Sequence, residues 1–198
     1  YDIQYREHDC NNHFSNLLFC FDLYITIIDK NRHKVNTSCK KIKDIGYKLV
    51  QISGTPLKAK EMREVLDKYS LQAVTSHRSF ADFKNNLDEI IDYNKTLGID
   101  LCGIGSMPWE NFNDVEKVKA FINDANEICK VLKSENMYFG YHNHAAEFVK
   151  FNGRTAMDML IEETDPETFN FIADTYWLHY AGADECEVIS RMGKRAMA

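Results

Sequence analysis

Six apolar, β-branched stretches alternate with six amphipathic stretches along this 198-residue chain, and this alternation constrains the fold more than any other feature. The apolar stretches are typical of buried strands, and the amphipathic stretches carry apolar residues at helical spacing. The predicted strands cover residues 18–28, 47–53, 71–76, 99–104, 137–143 and 169–173. Strict alternation predicts parallel strands joined by right-handed crossovers, and therefore an α/β barrel or an open doubly wound sheet.

Glycine motifs help to separate these two folds. No G-x-G-x-x-G or G-x-x-x-x-G-K-[ST] motif follows a predicted strand, which removes the commonest nucleotide-binding versions of the open sheet and favours the barrel. A complete (β/α)8 barrel needs about 250 residues. We therefore expect a barrel domain over residues 17–198 that is truncated after about six β/α units, preceded by an unassigned leader over residues 1–16.

Three helix boundaries can be predicted from capping residues. Residues 83–97 are expected to form one helix that Gly98 ends, because glycine readily adopts the left-handed conformation that follows a helix. The next helix is expected to start near Asn113, with Glu116 completing a capping box. Asp184 and Glu187 are expected to cap the last helix in the same way.

Composition excludes several classes of protein. There are 24 basic and 30 acidic residues, a net charge of −6, which argues against a nucleic-acid partner. The longest apolar run, residues 17–28, is interrupted by Asp22 and is too short to span a bilayer, so no membrane association is expected. Six cysteines without C-x-x-C spacing favour reduced thiols and a cytoplasmic location. Cys102 and Cys129 are interpreted as small core residues.

Polar and aromatic side chains follow four of the predicted strands, at the position where α/β barrels carry their active sites. The third strand ends at His77, the fourth runs into Trp109, and the sixth is followed by Asp174. The fifth is followed by His144 and Glu147. Two carboxylates on adjacent strand ends supply part of the oxygen-rich site that a hard divalent cation needs.

These segments resemble the sugar phosphate isomerase/epimerase family of xylose isomerase-like TIM barrels, and the resemblance covers residues 21–194. The segments that carry it downstream are Tyr141-His142-Asn143-His144-x-x-Glu147-Phe148, a Gly-Arg-Thr segment, Glu163-Thr164-Asp165-Pro166 and Asp174-x-x-Trp177-x-x-x-Ala181-Gly182. Those that carry it upstream are Lys41-Ile42-x-x-Ile45-Gly46-Tyr47 and Ala73-Val74-x-Ser76-His77.

The resemblance implies a divalent metal ion (Mn²⁺, Mg²⁺ or Co²⁺) held by Glu, Asp, His and Glu from the fifth to eighth strands. Glu147 and Asp174 match the first two ligands, and the other two are expected beyond Ala198. In the family two carboxylates move a proton between carbons through an enediolate, so Glu147 is expected to be both a metal ligand and a catalytic proton carrier.

The resemblance also implies residues that contact the substrate. His77 and His144 are expected to hydrogen-bond sugar hydroxyls, and Trp109 and Trp177 are expected to line the pocket. Two interpretations remain open from the residues themselves: Trp177 can instead pack the top of the barrel, and His142 fits a core histidine at least as well as a substrate contact.

The resemblance therefore implies a metal-dependent sugar or sugar-phosphate isomerase or epimerase that acts on a small-molecule sugar or polyol. The acidic charge disfavours the endonucleases among the relatives. The alternatives are a related inositol-pathway dehydratase and a non-catalytic, truncated barrel fragment. A homo-oligomer is compatible with the resemblance.

Overall fold

A computed structural model describes residues 25–27 and 32–197. The predicted leader and most of the predicted first strand lie outside the described residues. Within them the strands are β1 Ile25–Ile27, β2 Leu49–Ser53, β3 Gln72–His77, β4 Leu101–Ile104, β5 Tyr138–His142, β6 Lys150–Phe151, β7 Arg154–Thr155 and β8 Phe169–Ile172.

Eight α-helices and three 3₁₀ turns connect the strands in the described part of the chain. The helices are α1 Arg32–Ile45, α2 Ala59–Tyr69, α3 Phe80–Asn85, α4 Leu87–Leu97, α5 Val115–Ser134, α6 Ala156–Glu163, α7 Thr175–Tyr180 and α8 Glu185–Met192. The 3₁₀ turns are Trp109–Asn113, Ala146–Phe148 and Gly193–Arg195.

Six of the strands form one parallel sheet in the order β1-β2-β3-β4-β5-β8, which confirms the predicted sheet. The chain then returns to the edge of β8, where Ala196 bridges to Phe171 in parallel and Met197 N donates to Phe171 O at 3.0 Å. This is the place of a seventh strand. Over the described residues the sheet is thus an arc of a (β/α)8 barrel, as the sequence predicts.

The core lies between the sheet and its helices. One buried cluster packs α3 to α8 against β4, β5 and β8, and a second packs α1, α2 and the C-terminal half of α4 against β2 and β3. The buried face of α5 consists of Val118, Phe121, Ile122, Ala125, Ile128, Cys129 and Leu132. Burial raises the pKa of the Cys102 thiol to about 12 and that of Cys129 further, and both are core residues as predicted.

The end of α4 at Gly98 is confirmed, whereas the single helix expected over residues 83–97 and the cap expected at Asn113 are wrong. Residues 80–97 form two helices, because Asn86 leaves the helical conformation (φ −137°, ψ 35°) while Gly98 ends α4 at φ 71°. The helix predicted to start near Asn113 starts at Val115, since Asn113 ends a 3₁₀ turn and the Asp114 carboxylate accepts from Glu116 N at 2.9 Å. The cap of α8 is confirmed by a bond from Glu187 N to Asp184.

Residues 150–155 form an antiparallel β-hairpin of β6 and β7. Asn152 and Gly153 both have positive φ, 51° and 88°, which is the geometry of a type I′ turn whose twist matches the flanking strands. The hairpin leads directly into α6, where Thr155 accepts from Asp158 N at 3.0 Å.

Strands β4 and β5 leave no room for a side chain where Gly103 pairs with Gly140. A Cβ atom on Gly103 would lie 1.7 Å from the Gly140 carbonyl oxygen, so only glycine fits there. Trp109 follows β4 and Glu147 follows β5, so this glycine pair lies between the two strands that carry them. No helix among residues 32–197 is long and apolar enough to cross a membrane.

Candidate active site

The candidate site lies at one rim of the sheet, defined here as the edge formed by the carboxyl ends of β2 to β5 and β8. Parallel register places these ends side by side, with His77 opposite Gly103 and His142 opposite Ile172. The loops that follow carry Glu147 and Asp174. Both carboxylates therefore belong to the same rim.

Glu147 is fully buried in the 3₁₀ turn after β5. Its Oε1 accepts from the Tyr141 hydroxyl at 2.7 Å and its Oε2 accepts from His144 N at 2.9 Å. Burial outweighs these hydrogen bonds and raises the pKa of Glu147 to about 7. At neutral pH this carboxyl group can both hold and release a proton.

Tyr141 positions Glu147 through a hydrogen bond from its hydroxyl group. Its ring packs against Phe121 of α5, and its hydroxyl accepts from Met107 N at 3.3 Å while it donates to Glu147. Burial and the neighbouring carboxylate raise the pKa of Tyr141 well above its ordinary value. The hydroxyl consequently stays protonated and remains a donor.

Asp174 begins α7. Its Oδ1 accepts from Trp177 N at 3.2 Å, and its Oδ2 lies 3.7 Å from His142 Nε2. The buried Asn143 side chain fixes its backbone, since Asn143 Nδ2 donates to Asp174 O and Asp174 N donates to Asn143 Oδ1, at 3.2 and 2.8 Å. This pair of bonds fastens the loop of β5 to the loop of β8.

Three histidines form a chain of ring contacts at the rim. The His142 ring centroid lies 5.9 Å from that of His77 and 4.9 Å from that of His144. Burial lowers the pKa of all three, that of His77 to about 3, so they are neutral at pH 7. Within the described residues, His77 Nε2 and His144 Nδ1 are buried without a hydrogen-bond partner. These two atoms can serve a polar ligand.

Aromatic rings flank the histidines. The Trp109 and Trp177 centroids lie 5.9 and 5.0 Å from that of His144. Trp109 is 61% exposed, and Trp177 is half-buried. The structure thus brings the predicted residues His77, Trp109, His144 and Trp177 to the rim that carries Glu147 and Asp174.

The sequence left His142 open as a core histidine, whereas the structure places its ring against two rim histidines and near Asp174. The signal for this was available, because His142 and His144 are two residues apart and alternate residues of a strand share a face. Tyr141 and Asn143 lie in the motif that carries the resemblance, but neither of them was assigned a role from the sequence.

The described residues on their own do not fit a resident divalent cation. No three His, Cys, Asp or Glu side chains within them converge as a metal-binding group. Each Glu147 oxygen already accepts a hydrogen bond. Glu147 and Asp174 correspond to half of the four ligands that the resemblance implies.

A parallel α/β barrel whose polar side chains gather at the carboxyl ends of its strands has the general form of a barrel enzyme. A family model described as xylose isomerase-like TIM barrel matches residues 39–198, and the chain belongs to this family. A search of curated proteins gives no match.

Solved structures share the fold at low sequence identity. A sugar phosphate isomerase/epimerase from Parabacteroides distasonis has a TM-score of 0.66 at 20% identity, over 82% of this chain and 67% of that one. A D-allulose 3-epimerase from Methylomonas sp. has a TM-score of 0.66 at 13% identity, over 87% of this chain and 70% of that one. A family 2 AP endonuclease from Brucella melitensis has a TM-score of 0.64 at 12% identity, over 87% of this chain and 75% of that one. At these identities the likeness shows the fold alone.

Proposed function

We propose that the chain belongs to a metal-dependent sugar or sugar-phosphate isomerase or epimerase that moves a proton between carbons. The observation that carries the proposal is Glu147, a buried carboxyl group at the rim with a pKa of about 7. It lies beside neutral histidines that hold unused hydrogen-bonding atoms. The sugar isomerases and epimerases among the structural neighbours support the same class.

In this proposal Glu147 removes a proton from the carbon next to a sugar carbonyl group. The C–H electron pair moves to form a carbon–carbon double bond, and the carbonyl oxygen becomes the enediolate oxygen. In isomerisation Glu147 returns the proton to the neighbouring carbon while the hydroxyl proton of the first carbon passes to the former carbonyl oxygen. In epimerisation a second acid, from outside the described residues, supplies a proton to the opposite face of the same carbon. The Tyr141 hydroxyl and His144 N hold the carboxylate, and His77 and His144 bind substrate hydroxyls.

A divalent ion (Mn²⁺, Mg²⁺ or Co²⁺) would be bound by Glu147 and Asp174 together with ligands from outside the described residues. Two carboxylates leave a hard cation mostly coordinated by water. We expect residues 1–198 alone to bind such an ion weakly.

A second candidate is a non-catalytic barrel unit, supported by the finding that no three metal-ligating side chains converge within residues 25–27 and 32–197. The net charge of −6 supports the sugar substrate over DNA, whose phosphates favour basic surfaces. The match over residues 39–198 supports one barrel domain. The thiols Cys102 and Cys129 form no disulfide, which supports a cytoplasmic location.

The test is a product assay with a panel of ketohexoses and their phosphates, analysed by chromatography and mass, in which Mn²⁺ is in large excess so that a weak metal site is occupied. We expect an epimer or isomer of unchanged mass. Glu147→Gln should lower the rate by about 10²–10⁴-fold, and Glu110→Gln, at an exposed glutamate on the same rim, should leave it unchanged. Loss of one water would instead identify a dehydratase, and no product from any sugar would favour the non-catalytic unit.

A further inference from the structure

Five aromatic rings form a continuous strip that leaves the rim, called here the aromatic strip: Trp109, His144, Tyr176, Trp177 and Tyr180. Successive centroids lie 5.9 Å apart from Trp109 to His144, 5.0 Å from His144 to Trp177 and 5.8 Å from Trp177 to Tyr180. Tyr176 stacks on Tyr180 at 6.1 Å. The strip therefore starts at the candidate active site and continues along α7.

Most of the aromatic strip faces solvent. Trp109, Tyr176 and Tyr180 are 61, 62 and 68% exposed. Tyr176 and Tyr180 are four residues apart and so share one face of α7, while Leu178 on the other face is buried. Contiguous exposed aromatic rings of this kind mark a binding surface.

The chemistry of the strip fits a sugar. Aromatic faces carry negative charge density that attracts the C–H bonds on the flat face of a sugar ring, while hydroxyl groups at the ring edge need polar partners. At the rim end of the strip such partners are His144 Nδ1, which is buried without a hydrogen-bond partner among the described residues, and Asp174, which caps α7. Along α7 the strip offers the exposed rings and hydroxyl groups of Tyr176 and Tyr180. Three steps of 5.0–5.9 Å make the strip longer than one sugar ring.

We infer that the substrate is a glycosylated sugar with at least two rings. The reacting ring lies at the rim between Trp109 and Trp177, and the second ring stacks on the Tyr176 and Tyr180 side of the aromatic strip. This inference rests on the proposed function, because the reacting ring occupies the same site.

Tryptophan fluorescence reports on this site directly, since the chain has two tryptophans and both lie in the strip. The 198-residue chain is titrated with D-fructose and with lactulose, turanose and isomaltulose, which join fructose to a second ring through different oxygens. At least one disaccharide should have a Kd about tenfold below that of fructose. Tyr180→Ala should remove the preference and keep the affinity for fructose.

Tyr138→Ala is the matched control, because Tyr138 is 38% exposed at the opposite end of β5, and it should keep the preference. Equal affinities for all four sugars, no fluorescence change with any of them, or a preference that survives in Tyr180→Ala would overturn the inference. Epimer formation from fructose does not need a second ring. If fructose reacts and no disaccharide binds more tightly, only this inference fails; if disaccharides bind more tightly but nothing reacts, only the proposed function fails.

Discussion

Replacement of His77 by asparagine should make the protein less sensitive to acid. His77 is 8% exposed, and burial, followed by the neighbouring His142, lowers its pKa from 6.5 to about 3. Gln51 Nε2 donates to His77 Nδ1 at 3.3 Å, and asparagine can keep an acceptor near that position. The variant therefore removes the titrating group while it preserves the hydrogen bond.

The sign follows from proton binding. Between pH 6.5 and 3 the unfolded chain protonates His77 and the folded chain does not, so the stability contributed by this group is complete above pH 6.5 and decreases as the pH falls. A pH of 5 is 1.5 units below the ordinary histidine pKa of 6.5. This corresponds to a loss of about 2 kcal/mol in the free energy of unfolding.

The measurement is urea unfolding at pH 7.5 and pH 5.0. Lowering the pH from 7.5 to 5.0 should reduce the unfolding free energy of His77→Asn by about 2 kcal/mol less than it reduces that of the unchanged protein. His33→Asn, at an exposed position of α1, should show the unchanged pH dependence. The same pH dependence in His77→Asn and the unchanged protein would refute the buried, neutral histidine.

Three further substitutions test the site and its support. Gly103→Ala should cost at least ~3 kcal/mol in urea unfolding, because its Cβ would overlap a backbone oxygen, whereas Gly105→Ala makes only an ordinary 3.8 Å contact and should be tolerated. Tyr141→Phe leaves the buried Glu147 without one donor and should cost about 1–3 kcal/mol, while Tyr138→Phe, at an exposed site, should cost nothing measurable. Because the pKa of Glu147 is raised from 4.5 to about 7, its contribution to stability falls as pH rises from 4.5 to 7, and Glu147→Gln should lack this fall in a urea series across that range.

Much of the sheet could be predicted because strand and helix periodicities are local properties of the sequence. The break at Asn86 could not, since Phe83, Leu87 and Ile90 continue one helical pattern across it. The β6–β7 hairpin has strands of two residues, which is too short for a period-2 pattern.

The positions of the site residues followed from the rule that loops after parallel strands meet at one rim. The partners of Glu147 did not follow from it. Tyr141 packs against a helix on the opposite face of β5 from its neighbour His142, so nothing in the spacing indicated that its hydroxyl bonds the carboxylate. The burial of Glu147, which raises its pKa, is likewise a result of tertiary packing.

The central claim is that Glu147 moves a proton on the carbon next to a carbonyl group. The most direct measurement is proton NMR of the converted ketose in D₂O with Mn²⁺ present. The account predicts that solvent deuterium appears at that carbon with the unchanged protein and with Glu110→Gln, and is absent with Glu147→Gln. Product that carries no deuterium, or equal incorporation by Glu147→Gln, would contradict it.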